Sequence, residues 1–226
     1  GLARYEYLKN EGITQDDRDR TVVGGAIRVG YAQSPRIRLF VENRVGREIY
    51  DESRDRSGAD RSFTEVGVAG GVSLDFTSVL FGEASARVTR AFFDDDAFED
   101  ETALTLAAAL TWNVTQLTTL TFGASREFDP TTQSGSSVNL RTEGRLGVDH
   151  ELRRNMLVGA GIGARQNRFE STGEDENELF TDLRATYLVN RRLAFGLTYE
   201  FSTRDASDST RDFDRNRLLL SIIGRL

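Results

Sequence analysis

The chain has one histidine, His150, and one dense acidic run, DDDAFEDE at 94–101, and these are the first residues to test for chemistry. An imidazole moves protons near neutral pH. His150, however, closes a long alternating segment beside a short turn, and no serine stands where a triad would need it. It reads as a side chain at an interface. The acidic run supplies the oxygen ligands that calcium selects, but lacks the EF-hand spacing with its central glycine. A solvated, self-repelling loop is the expectation there. LVGAGIGAR (157–165) has the glycines of a phosphate loop, yet Gly159, Gly161 and Gly163 alternate inside a strand with no helix after them. With Gly24, Gly67 and Gly71 they read as a small-residue wall. No catalytic residue, cofactor or resident metal is expected.

The remaining charges follow a pattern. In RIRLFVENRVGREI (36–49), Arg36, Arg38, Glu42, Arg44 and Glu48 occupy even positions, and Ile37, Leu39, Val41, Val45 and Ile49 odd ones. The same division sets Arg141, Glu143, Arg145 and Asp149 against Leu140, Leu146 and Val148. It also sets Glu200 and Arg204 against Phe195, Leu197, Tyr199 and Phe201. A strand with one apolar and one charged face fits between lipid and water, because a charge aimed at lipid costs about 2–4 kcal/mol near the bilayer midplane. Arg36, Arg38, Glu42, Arg44, Glu48, Arg141, Glu143, Arg145, Glu200 and Arg204 are therefore the expected lining of an aqueous lumen. Such a wall would draw in anionic or sugar-like solutes, and its interspersed carboxylates would keep them from sticking.

The elements that must carry this pattern are strands. Alternation predicts twelve, at about 1–9, 19–32, 36–50, 62–76, 79–93, 101–113, 117–128, 139–151, 155–169, 178–189, 193–205 and 214–226. Segment 79–93 has apolar residues on both parities near its ends, and its facing stays open. Linkers alternate between tight turns and longer acidic loops, as in 51–61, 94–100, 129–138 and 170–177. Strands of this length exceed the roughly 5–6 residues usual in soluble sheets and suit a tilted membrane strand. The expectation is all-β: a single up-and-down antiparallel transmembrane β-barrel over residues 1–226, with both termini on the periplasmic side. No apolar run approaches the ~20 residues of a membrane helix. The absence of cysteine fits an oxidising compartment, and a net charge of −7 argues against a nucleic-acid partner. No signal peptide precedes Gly1, so the chain is read as mature or as cut from something longer.

Aromatic residues gather at both strand ends: Tyr31, Phe76, Trp112 and Tyr187 by the short turns, and Tyr50, Phe63, Phe92, Phe93, Phe128, Phe169, Phe180 and Phe213 by the long loops. Two interfacial girdles are the expectation. The inward-charged hairpins, the acidic loops, the turns LRRN (152–155) and VNRR (189–192) and the ending RNRLLLSIIGRL together resemble the bacterial outer-membrane family Putative beta-barrel porin 2. That ending also resembles an outer-membrane assembly signal, with Leu218, Leu220, Ile222 and Leu226 on one parity, but it lacks the usual terminal aromatic. The resemblance implies a Gram-negative outer membrane, contact with lipid and lipopolysaccharide, and a link to envelope or exopolysaccharide function with an envelope protein as partner. Three functions stay open at this point: a narrow porin-like channel, a side-chain-plugged structural anchor, and an autotransporter-type translocator. An enzyme is not expected. The outward positions show no polar patch, which favours a monomer.

Overall fold

A computed structural model describes residues 2–8, 19–51, 60, 62–96, 98, 100–130, 138–169 and 174–224. Twelve antiparallel strands follow one another in sequence order in one sheet. They are β1 (Leu2–Leu8), β2 (Arg20–Ser34), β3 (Ile37–Tyr50), β4 (Phe63–Asp75), β5 (Leu80–Phe93) and β6 (Glu101–Asn113), then β7 (Thr118–Pro130), β8 (Val138–Arg153), β9 (Met156–Phe169), β10 (Glu174–Leu188), β11 (Leu193–Ala206) and β12 (Phe213–Gly224). This is the up-and-down architecture of an outer-membrane β-barrel wall. Pairing between β12 and β1 is not among the registers of the described residues.

Register fixes which residues share a face, because cross-strand partners project to the same side. On β3 the buried side chains Phe40, Glu42 and Tyr50 mark the inward parity, while Leu39, Val41, Val45 and Ile49 are exposed on the other. Carried across by pairs such as Glu42↔Ala69 and Ala69↔Arg87, the inward set on β5 is Glu83, Ser85, Arg87 and Thr89. That settles the facing left open for segment 79–93: Val88 and Phe92 point outward. Exposed Leu104, Leu106, Phe122, Leu146, Ile162, Leu183, Leu197 and Leu220 continue the outward apolar band to β12.

Side-chain acceptors shape the short turns. Ser34, Thr77, Thr115 and Asn190 each accept a backbone N–H two residues on, and Thr77 and Asn190 accept a second one at the third. This is the local chemistry that makes Ser, Thr and Asn turn formers. One strand starts earlier than expected. The acidic run at 170–177 is strand from Glu174 on, because Glu174↔Phe169 already pairs and β10 starts there. Its carboxylates have arginine partners, described below, which make an acidic strand affordable.

The girdles need correction at one end. Tyr31, Phe76, Trp112 and Tyr187 are exposed at the short-turn end, in keeping with an interfacial belt. At the loop end Phe92 faces outward, but Tyr50 and Phe63 are buried on the inward face, and Phe63 stacks on Phe93 at 5.4 Å. Phe180 and Phe213 also project inward by register, opposite Ser202 and Arg204. The side chains of Phe128 and Phe169 lie outside the described residues.

Candidate solute pathway

Two ladders of charge run up the inner wall. The first spans β2 to β5 and centres on Glu42, which pairs with Arg28 at 2.9 Å, with Arg44 at 3.7 Å, and with Arg87. Arg28 also reaches Glu83 at 3.0 Å, and the Ser73 hydroxyl donates to Glu83 at 2.9 Å. Arg20 and Glu48 close the loop end at 3.0 Å. The second spans β8 to β12. Arg145 pairs with Asp182, which also takes Arg184 at 3.2 Å, and Arg184 meets Asp149 at 3.1 Å. Arg165 meets Glu143 at 2.8 Å, Arg204 meets Glu178 at 3.2 Å and Glu176 at 3.3 Å, and Arg217 meets Glu200 at 3.6 Å.

Between the ladders, β6 and β7 present small side chains. Ser85, Ala107, Ala109, Gly123 and Ser125, flanked by Glu83 and Arg145, line a cavity of 310 Å³. Each ion pair named above joins strands no more than three apart, so the charges are tied along the wall. A tie across the lumen would be needed to cross-link it shut.

Nine of the ten expected lining residues, Arg38, Glu42, Arg44, Glu48, Arg141, Glu143, Arg145, Glu200 and Arg204, project inward on strands. Arg36 is the exception. It sits in the Pro35–Arg36 turn, exposed, one residue before β3 begins. Proline at 35 and the close of the hairpin end the alternation there.

The glycine wall is not bare. Phe40 lies over Gly71 and Phe180 over Gly163, and each glycine leaves room where a Cβ would collide with the ring. Gly161 lies under Arg145 and Asp182, and Gly159 under Asp149 and Arg184. The two rings carry guanidiniums on their faces: Arg28 stands 4.0 Å from the Phe40 centroid, and Arg165 and Arg145 stand 5.2 and 5.8 Å from that of Phe180. Phe40, Phe180, Arg28, Arg87, Arg165 and Asp182 are the site residues that the sequence reading missed. For Phe40 the signal was present, since it sits on the charged parity of β3.

His150 faces outward on β8, where its Nδ1 lies 2.9 Å from the Thr118 hydroxyl. The acidic run does not stand in mutual repulsion. Asp94 meets Arg47, Asp100 meets Arg90, and the Asp60 backbone N–H donates to Asp95. The Arg47 hydrogen bond, the largest influence, holds the Asp94 carboxyl below its ordinary range.

An antiparallel wall with a continuous apolar outer face and an inner face of paired charges defines a porin-like barrel of the bacterial outer membrane. The chain belongs to the family Putative beta-barrel porin 2, whose profile matches residues 3–226. Among solved structures it is similar to the copper transporter OprC, with a TM-score of 0.62 at 13% identity, over 92% of this chain and 41% of that one. It is also similar to the FrpB iron transporter from Neisseria meningitidis, at 0.61 and 9% over 92% and 41%, and to the ferric yersiniabactin receptor FyuA from Yersinia pestis, at 0.52 and 8% over 86% and 36%. The chain thus spans less than half the length of these structures, and the likeness is one of fold. No curated protein sequence matches it.

Proposed function

We propose that the chain forms a water-filled outer-membrane channel that favours small anionic solutes. The carrying observation is the unequal exposure of partners within the inward ion pairs. Side-chain exposure is 45% for Arg28 against 9% for Glu42, 38% for Arg145 against 11% for Asp182, and 25% for Arg204 against 5% for Glu178. In these three pairs the carboxylate is pressed to the wall and the guanidinium reaches water, whereas Asp149 at 59% is more exposed than its partner Arg184 at 41%. A passing solute meets donors first, while the carboxylates behind weaken the hold enough for release. Neutral sugars suit the same surface, since paired guanidiniums and carboxylates serve hydroxyl groups as donors and acceptors. In this reading the short turns, and with them Gly224, lie on the periplasmic side.

The test is single-channel recording in planar bilayers under a salt gradient. The wild type should conduct with an anion-leaning reversal potential, and combined Arg44→Gln, Arg145→Gln and Arg184→Gln should move that potential toward cations. A folded protein that carries no current would favour the structural anchor. A reversal potential indifferent to the three changes would mean that other residues set selectivity.

A further inference from the structure

We infer that the outward rim at the long-loop end is a binding belt for phosphate-bearing lipid headgroups. Over most of the wall the outward positions are apolar, as at Val45, Val66, Val88 and Ile162. Near the loop end, four successive hairpins break that rule with an arginine on their first strand: Arg47 on β3, Arg90 on β5, Arg126 on β7 and Arg168 on β9. Register puts all four outside, through the pairs Val23↔Arg47, Val66↔Arg90, Leu106↔Arg126 and Leu140↔Arg168. Beside three of them, on the next strand, stands a threonine: Arg47↔Thr64, Arg90↔Thr102 and Arg126↔Thr142. The rung is formed at the first of these, where Arg47 donates to the Thr64 hydroxyl at 2.9 Å. On the fourth hairpin the partner across is Asp175.

The two rims therefore differ in chemistry. Tyr31, Trp112 and Tyr187 form an aromatic edge at the short-turn end, whereas at the loop end Tyr50, Phe63 and Phe93 are turned inward and the outward Phe92 has the Arg90 guanidinium 4.9 Å from its centroid. An outward arginine at the margin of the apolar band is unfavourable beside acyl chains unless an anion meets it. Loop carboxylates supply part of that charge: Asp94 to Arg47, Asp100 to Arg90 and Asp175 to Arg168. These pairs are well exposed, with arginine side chains at 37%, 55% and 61%, so a stronger anion can compete. The planar guanidinium fork matches phosphate oxygens bidentately, and a neighbouring hydroxyl adds a third donor. Lipid fits better than a soluble anion, because the apolar band directly below would receive the acyl chains of the same molecule.

The experiment uses purified protein folded in neutral detergent and native mass spectrometry with added phosphatidic acid, phosphatidylcholine or inorganic phosphate. The wild type should retain phosphatidic acid and release phosphatidylcholine. Combined Arg47→Gln, Arg90→Gln, Arg126→Gln and Arg168→Gln should cut phosphatidic acid retention roughly tenfold, as expected from losing several charge-assisted bonds. Inward Arg44→Gln with Arg145→Gln should leave it unchanged. If the fourfold variant fails to fold, Thr64→Val with Thr142→Val supplies a milder loss at the same rim. Equal retention of phosphatidylcholine, or no loss in the rim variants, would overturn the proposal. Displacement of the lipid by equimolar inorganic phosphate would overturn it in favour of a free-anion site. Channel conductance is read separately, so failure here leaves the channel reading untouched.

Discussion

Glu42 shows how a single carboxylate organises the inner wall. It is buried and receives Arg28, Arg44 and Arg87 from three different strands. Removing its charge leaves three guanidiniums converging on a neutral amide. Losing one partner of a fully buried pair costs about 3–5 kcal/mol, and since the arginines here reach water a loss of about 1–3 kcal/mol is expected for Glu42→Gln. Urea unfolding in detergent micelles would check it, and a variant as stable as the wild type would show that the cluster is energetically idle. The glycines under the inward rings make a complementary case. Gly163→Ala places a methyl group against the Phe180 ring and 2.8 Å from the Gly144 carbonyl oxygen, so the ring must swing toward the lumen, carrying Arg145 and Arg165 off its faces, and the backbone of β8 must give as well. Overpacking of this kind costs about 1–3 kcal/mol, and the displaced ring should also lower conductance. The same change at Gly70, which faces outward with open space around it, should do neither.

At the scale of the strand and its loop, Asp94 ties the β5 end to Arg47 on β3 with a 2.8 Å hydrogen bond. Because that partner lowers the Asp94 pKa, the contribution to stability is present above the ordinary carboxylate range and fades as pH falls through the lowered value. Both side chains are more than a third exposed, so the effect should be about 0.2–1 kcal/mol. Thermal melts of wild type and Asp94→Asn should differ at neutral pH and converge on acidification; a constant gap would mean that the loop is held by something other than this charge. Strands were legible because parity between lipid and water is a strong constraint, and the ladder members on β3 and β8 follow from it. The start of β10 was not legible. Glu174 and Glu176 look like a solvated loop until Arg211 and Arg204 arrive from the following hairpin. The inward rings were missed for a similar reason: an aromatic near a strand end is interfacial by default, and the glycine that seats Phe180 lies on the neighbouring strand.

For the whole molecule, the even strand number has a geometric result. β1 runs toward the long loops from Leu2, which pairs with Ala26 midway along β2, and β12 runs back to the short-turn end, so these two strands are antiparallel. The lipid-facing band reaches the outermost strand, where Leu218, Leu220 and Ile222 are 66%, 81% and 73% exposed. That strand is therefore destined for the hydrocarbon, and there an unpaired backbone N–H or C=O costs several kcal/mol with no water to relieve it. A row of them along β12 would outweigh any single interaction described above, so that edge must find a strand partner once the protein is in a bilayer. Pairing with β11 alone protects only alternate amides of β12, since each strand sends its N–H groups to both sides in turn. Hydrogen exchange in lipid nanodiscs separates the two cases. A joined edge should make every amide from Leu218 to Ile222 exchange as slowly as those in the middle of β8 and β9. Fast exchange at every second β12 amide, with slow exchange at β8 and β9, would show an open sheet in the membrane and remove the barrel on which an aqueous lumen depends.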